Sequence, residues 1–204
     1  MSIVLVRHGE TALNVARVLQ PADTPLSALG LAQAQAVAHR LAMLGVAGIV
    51  SSDLPRAWVT AQEIARACGL PVTASALLHE RNFGDLRGQA YDTLGFDPLA
   101  MSEAPPGGEA VPVFMARVAA AFDQMLRLRA ALPGPLVAVT HGMVIRALLT
   151  HHCRLADGIR LPQHLGNTCV SVVSAQPPHR VDLLGCTRHL DASTQPDARS
   201  LSGG

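Results

Sequence analysis

The 204-residue chain contains no lysine; its sixteen basic residues are all arginine. That excludes chemistry built on a lysine amine: Schiff-base formation, P-loop phosphate binding and Ser-Lys catalysis. With fifteen Asp and Glu the net charge is +1, so no broad cationic field recruits nucleic acid or an anionic membrane. No Cys-x-x-Cys occurs; Cys68, Cys153, Cys169 and Cys186 are widely spaced and read as reduced, mostly buried side chains. No apolar run reaches the roughly 18 residues of a membrane-spanning helix. The N-terminus enters an apolar strand without a signal-peptide n-region or h-region, so a cytoplasmic setting is expected. No Asp-rich magnesium cluster is apparent, and no Ser- and Gly-rich linker divides the chain.

What is present is a 49% hydrophobic chain, enough for one domain with a sizeable core, expected over residues 1–190. Residues 191–204 are rich in Ser, Gly, Pro and Asp and are expected to form a disordered tail. The run Ser2 to Val6 reads as a buried strand, and Gly48 to Ser52 as a second. A helix capped by Thr24 or Ser27 runs to about Leu44, and another, capped by Ser52 or Asp53, spans Pro55 to Cys68 with Gly69 past its end. Pro71 to Thr73 is a short strand, Leu77 to Gly108 is irregular, and Pro112 to Leu132 is a long helix. Leu136 to Thr140 is a strand followed by a helix to about His152, with late strands near Cys169 to Ser174 and Val181 to Leu184. Strands alternating with helices predict an α/β fold, three-layer α/β/α around a mostly parallel sheet.

One device occurs twice. Val4-Leu5-Val6-Arg7-His8-Gly9 and Ala138-Val139-Thr140-His141-Gly142 each run from a strand through histidine and glycine into a helix. Taken alone, either could be an ordinary strand-to-helix turn. If the two strands are parallel neighbours, both rings emerge at one carboxyl edge about 5 Å apart, where ligands of open α/β sheets bind. An arginine forks around phosphate oxygens, and a neutral imidazole is a competent nucleophile toward phosphorus.

With Arg7-His8-Gly9-Glu10, Arg56 in Ser51-Ser52-Asp53-Leu54-Pro55-Arg56-Ala57, Glu80 before Phe83-Gly84-Asp85, Pro106-Gly107-Gly108-Glu109, His141-Gly142 and Gly166-Asn167-Thr168, the chain resembles the histidine phosphatase superfamily, of phosphoglycerate-mutase-like fold. The resemblance runs from Ile3 to about Ser174. It implies His8 as the nucleophile that becomes phosphohistidine, with Gly9 clearing its approach and a backbone carbonyl holding its second nitrogen. Arg7 and Arg56 clamp the phosphate, Asn14 adds an amide donor, and His141 donates to the phosphoryl oxygens, best as a cation. Glu80 is the general acid and then activates water. Glu10 organises the arginines behind the site, and Thr11 and Gln20 lie at its rim. Glu109, in its Pro-Gly-Gly-Glu setting, looks like a helix-entry or lid element, and His79 and His164 could border the pocket. His151-His152-Cys153 lacks the spacing of a metal site.

The resemblance implies a metal-independent, cofactor-free phosphomonoester hydrolase acting on a small phosphorylated metabolite, with a homodimer left open. Two other readings stand beside it: a phosphoglycerate mutase, or a non-catalytic phosphate- or phosphoprotein-binding module. Mutase relatives usually add a longer insertion with an Arg-Arg pair and a lysine. Here the Glu80 to His141 interval is short and holds neither, which favours hydrolysis. Pro21 after Gln20 and Ala110 after Gly107-Gly108-Glu109 depart from the family pattern near the substrate mouth.

Overall fold

Ser2–Arg7 (β1) and Leu136–Thr140 (β4) are almost unbroken apolar runs because both of their faces are covered. Ile3, Leu5, Leu136 and Ala138 point into one core cluster, and Val4, Val6, Val137 and Val139 into the other. The first cluster lies under Val111–Ala130 (α4) and Gly142–His151 (α5); the second lies under Ala28–Ala42 (α2) and Pro55–Cys68 (α3). The result is the three-layer α/β/α arrangement expected. The computed structural model describes residues 1–195.

Six strands form one mixed sheet in the order β3-β2-β4-β1-β5-β6, where β2 is Gly48–Ser51, β3 Val72–Ala74, β5 Val170–Ser174 and β6 Val181–Cys186. The pairs β1–β4, β4–β2 and β2–β3 are parallel, while β5 runs antiparallel to both of its neighbours. The sheet is thus mostly parallel. Arg7 is register-paired with Thr140, so the residues that leave the two central strands together are His8 and His141.

The helix ends follow from local chemistry. Ser27 caps α2 by accepting from the Gly30 N–H at 3.0 Å, and α3 starts on Pro55 and stops at Gly69, which takes φ 66°. The cap of α3 is not the expected one: Leu54 holds that position without a side-chain bond. The Ser52 and Asp53 side chains are drawn to other partners, His141 and His79. Between His8 and the Gln20 loop a single helical turn, Ala12–Val15 (α1), is capped reciprocally by Thr11 and Asn14. The irregular segment from Leu77 to Gly108 contains short 3₁₀ turns, including Gly84–Leu86.

Of the expected tail, residues 196–204 lie outside the described residues. Asp191–Thr194 form a turn, and Gln33 Nε2 on α2 donates to the Thr194 carbonyl at 3.0 Å. Of the four cysteines, which form no disulfide, only Cys169 is fully buried; the other three are half-buried. No helix of the described residues is long and apolar enough to cross a membrane.

Candidate active site

The two histidines meet. Their ring centroids are 5.2 Å apart with planes tilted by 57°, and neither ring is exposed. His8 is pinned by its own backbone: its N–H donates to Thr140 O at 3.0 Å, and its carbonyl accepts from Asn167 Nδ2 (3.2 Å) and Thr168 N (3.3 Å). Its Nδ1 lies 2.7 Å from the Gly9 carbonyl, which can only accept, so Nδ1 carries the proton and Nε2 the lone pair. Burial, reinforced by Arg7 and Arg56, pushes the His8 pKa well below 6.5. The ring is therefore held in its neutral form, with the Nε2 lone pair left without a partner among the described residues.

Four buried polar atoms around this pair have no partner among the described residues: His8 Nε2, His141 Nδ1, Asn14 Nδ2 and Arg56 Nε. Asn14 shows how such an atom is kept available. Its Oδ1 accepts from Thr11 N and Asn167 Nδ2, both at 3.2 Å, so its NH₂ group is left over. His8 Nε2 is the lone-pair atom; leaving the other three unmatched as donors costs about 1–3 kcal/mol each, a cost that an anion bridging them would remove. Arg7 and Arg56 are buried beside them. Arg7 Nη1 is braced on Leu165 O at 2.6 Å, and Arg56 Nη1 on Pro21 O and Ala22 O at 3.3 and 3.4 Å. Burial, against the opposing pull of Glu80, brings the Arg56 pKa down to about 10.

Glu80 stands at the edge of this group. Its carboxylate accepts from Arg81 N (3.0 Å) and from Met143 N in the first turn of α5 (3.1 Å). Burial nevertheless raises its pKa above 4.5, outweighing those N–H groups and the field of Arg56 and Arg7. It also lines an open cavity of about 760 Å³. His79 lines the same cavity; His164 is exposed and is not among its lining residues.

Several side chains do other work than the sequence suggested. Glu10 does not organise the arginines. Its Oε1 accepts from Ser27 Oγ at 3.1 Å and its N–H donates to Gln33, tying the His8 turn to the start of α2. Gly9 is required by that same packing: a Cβ there would overlap the Gly30 carbonyl oxygen, and one on Gly30 would overlap the Glu10 carbonyl oxygen. Thr11 donates its hydroxyl to Gln20 Oε1 at 2.9 Å, so both shape the loop beneath the rim. His141 is not poised as a cation, since burial, then Arg56 and His8, hold its pKa well below 6.5.

Sequence reasoning missed the parts of four residues. Ser52 Oγ is 2.8 Å from His141 Nε2. Asn167 and Thr168 hold the His8 carbonyl, Thr168 with φ 52°, a strained setting for a β-branched residue. Arg117 on α4 grips Glu109 through two bonds of 2.9 and 2.7 Å and donates to the carbonyls of Leu77, His79 and Glu80, which fixes the segment carrying Glu80. Glu109 is thereby committed to Arg117. Among the described residues no group of three or more His, Cys, Asp or Glu could hold a metal ion, and His152 packs against Phe122.

The likenesses agree with this geometry. The chain is 34% identical to the probable phosphoglycerate mutase GpmB of Yersinia pestis (strain Pestoides F), over 94% of this chain and 95% of that one. It is similar to a mycobacterial glucosyl-3-phosphoglycerate phosphatase solved with VO₃, at 32% identity and TM-score 0.71 over 85% of this chain and 90% of that one. Bacillus stearothermophilus YhfR superposes with TM-score 0.79 at 26% identity, over 93% and 99% of the two chains. Residues 3–184 match the histidine phosphatase superfamily (branch 1), and the chain belongs to that family.

Proposed function

We propose that this protein is a phosphomonoester hydrolase working through a phosphohistidine on His8. The observation that carries the reading is the set of unmatched buried atoms, His8 Nε2 and His141 Nδ1 with Asn14 Nδ2 and Arg56 Nε, converging where two arginines are already buried. A phosphate dianion matches the three donors and the two arginines in charge and in hydrogen bonds, and leaves the His8 Nε2 lone pair to face phosphorus. The phosphatase with VO₃ among the similar structures supports the same reading.

In the proposed reaction the His8 Nε2 lone pair attacks phosphorus in line with the ester oxygen. Arg7, Arg56, the Asn14 amide and His141 hold the three non-bridging oxygens, so their charges balance the transferring group without a metal ion. Glu80, whose pKa burial raises, gives a proton to the departing alkoxide in its acid form as the P–O bond breaks. Its carboxylate then takes a proton from a water that attacks phosphorus, the P–N bond breaks, and inorganic phosphate leaves. His141, neutral in the free site, gains a reason to bind a proton once the dianion is beside it.

Hydrolysis is favoured over mutase chemistry by the short Glu80 to His141 interval and the absence of lysine. The GpmB likeness supports the mutase alternative. One assay separates them: 3-phosphoglycerate should release free phosphate rather than yield the 2-isomer, and appreciable isomer overturns the hydrolase reading. Turnover of p-nitrophenyl phosphate should persist with chelator and vanish in His8→Ala. Equal turnover by that variant would sink the nucleophile assignment.

A further inference from the structure

Three basic side chains line the cavity outside Glu80, and among the described residues one of them is uncommitted. His79 Nε2 is bonded to Asp53 Oδ1, and Arg117 is held bidentately by Glu109. Arg87, half-buried, has no hydrogen-bonding or ion-pair partner for its guanidinium among the described residues. It lines the same cavity as Glu80. The carboxylates lining the cavity cannot neutralise it: Glu109 is engaged by Arg117, and Glu80 is bonded to the Arg81 and Met143 N–H groups.

The backbone under Arg87 is fixed on both sides. Asp85 N donates to Pro106 O at 2.9 Å and Gly88 N to Leu19 O at 2.7 Å, while Val18 bridges to Ala90. Gly84, with φ 52°, presses so close to Pro106 and Gly107 that a Cβ would not fit. Arg87 therefore projects from a tied rim, among walls supplied by Ala22, Leu54, Ala76 and Val113.

We infer that Arg87 binds a carboxylate on the leaving-group side of the substrate, so that this site selects phosphoesters of hydroxy acids. A single guanidinium fork saturates a carboxylate. A second phosphate dianion would ask for a set of donors like the one around His8, which the outer cavity does not provide. The inference rests on the hydrolase reading above and assigns its specificity.

The test compares two esters that differ only at the position concerned: 3-phosphoglycerate, and glycerol 3-phosphate, which has a hydroxymethyl in place of the carboxylate. The wild-type protein should prefer the acid by about tenfold in kcat/KM, mainly through KM, as one charge-assisted bond predicts. Arg87→Gln should erase that ratio and Arg87→Lys should keep part of it. Equal kcat/KM for the two esters in the wild type, or a ratio untouched by Arg87→Gln, overturns the carboxylate assignment. p-Nitrophenyl phosphate, which has no carboxylate, reports on the hydrolase reading separately; if it too releases no phosphate, both readings fall.

Discussion

His141 Nε2 and Ser52 Oγ lie 2.8 Å apart, across 89 residues of sequence. The same oxygen accepts from Leu54 N at 3.3 Å, so its one proton is free to point at the ring. A hydroxyl that donates to Nε2 leaves the ring proton on Nδ1, the atom with no partner among the described residues. A neutral His141 can then still present an N–H to a phosphoryl oxygen. Removing the hydroxyl in Ser52→Ala should lower kcat/KM by about tenfold, the upper worth of one hydrogen bond. Ser52→Thr should restore it. Steady-state rates on one phosphoester decide this, and an unchanged Ser52→Ala rate would dissociate the serine from the ring's tautomer.

Glu80 is given two duties, and one variant separates them. In Glu80→Gln the first step with p-nitrophenyl phosphate needs no proton donor, because nitrophenolate is a good leaving group, while water activation is lost. Rapid mixing should show a burst of up to one nitrophenolate per active site, followed by turnover slowed about 10²–10⁴-fold. Alkyl phosphates should lose even the burst. Full turnover of an alkyl ester by Glu80→Gln would move the acid elsewhere.

Stability should depend on pH in a direction set by the buried titrating groups. His8 and His141 stay neutral in the folded protein, whereas in the unfolded chain they titrate near 6.5. Below that pH the unfolded state takes up protons the folded state refuses, so each ring lowers stability by up to about 1.4 kcal/mol per pH unit. Glu80 works the other way. Its raised folded pKa lets the native state protonate first, which returns up to about 1.4 kcal/mol per unit until the unfolded carboxyl titrates near 4.5. The net expectation is a fall of urea midpoint from pH 6.5 toward 5, flattened in a His8→Gln, His141→Gln double variant. In a Glu80→Gln background, where the opposing contribution is gone, a midpoint level over this range would mean that burial does not hold the rings neutral.

The contact between the His8 turn and α2 should be intolerant of a single methyl group. Gly30→Ala sets a Cβ against the Glu10 carbonyl oxygen, a backbone atom that cannot step aside. Overpacking of this kind costs about 1–3 kcal/mol, which chemical denaturation would detect. Activity should fall with it, because Glu10 and Gly9 carry the turn that aims His8. A Gly30→Ala protein of wild-type stability would show that the turn can shift freely.

What could be read from the sequence was local. Arg7, His8, Arg56 and His141 stand within a residue or five of a strand end, so the strand-to-helix punctuation by Gly9, Pro55 and Gly142 places them without knowledge of the fold. The partners that aim them come from afar. Ser52 reaches His141, Asn167 reaches His8 across 159 positions, and Arg117 reaches the carbonyls around Glu80 from the middle of α4. Their side chains are common ones in common settings, and nothing near them in sequence marks the contact. Glu10 was misread for a related reason: its neighbours in sequence lie in the candidate site, but its carboxylate turns toward Ser27. The cap of α3 failed because Ser52 and Asp53 were both claimed by histidines.

The pairing of Arg7 with Thr140 has a mechanical consequence. The separation of the two histidines is a strand spacing, set by a hydrogen-bonded ladder that side-chain changes elsewhere barely stretch. The cavity wall carrying Arg87, Asn82 and Ala104 hangs instead on turns between β3 and α4, where no ladder dictates geometry. The molecule is in effect a rigid vice with an interchangeable jaw. Replacing the stretch from Asn82 to Ala104 should change which phosphoester the proposed reaction accepts while the spacing of the two histidines stays as it is.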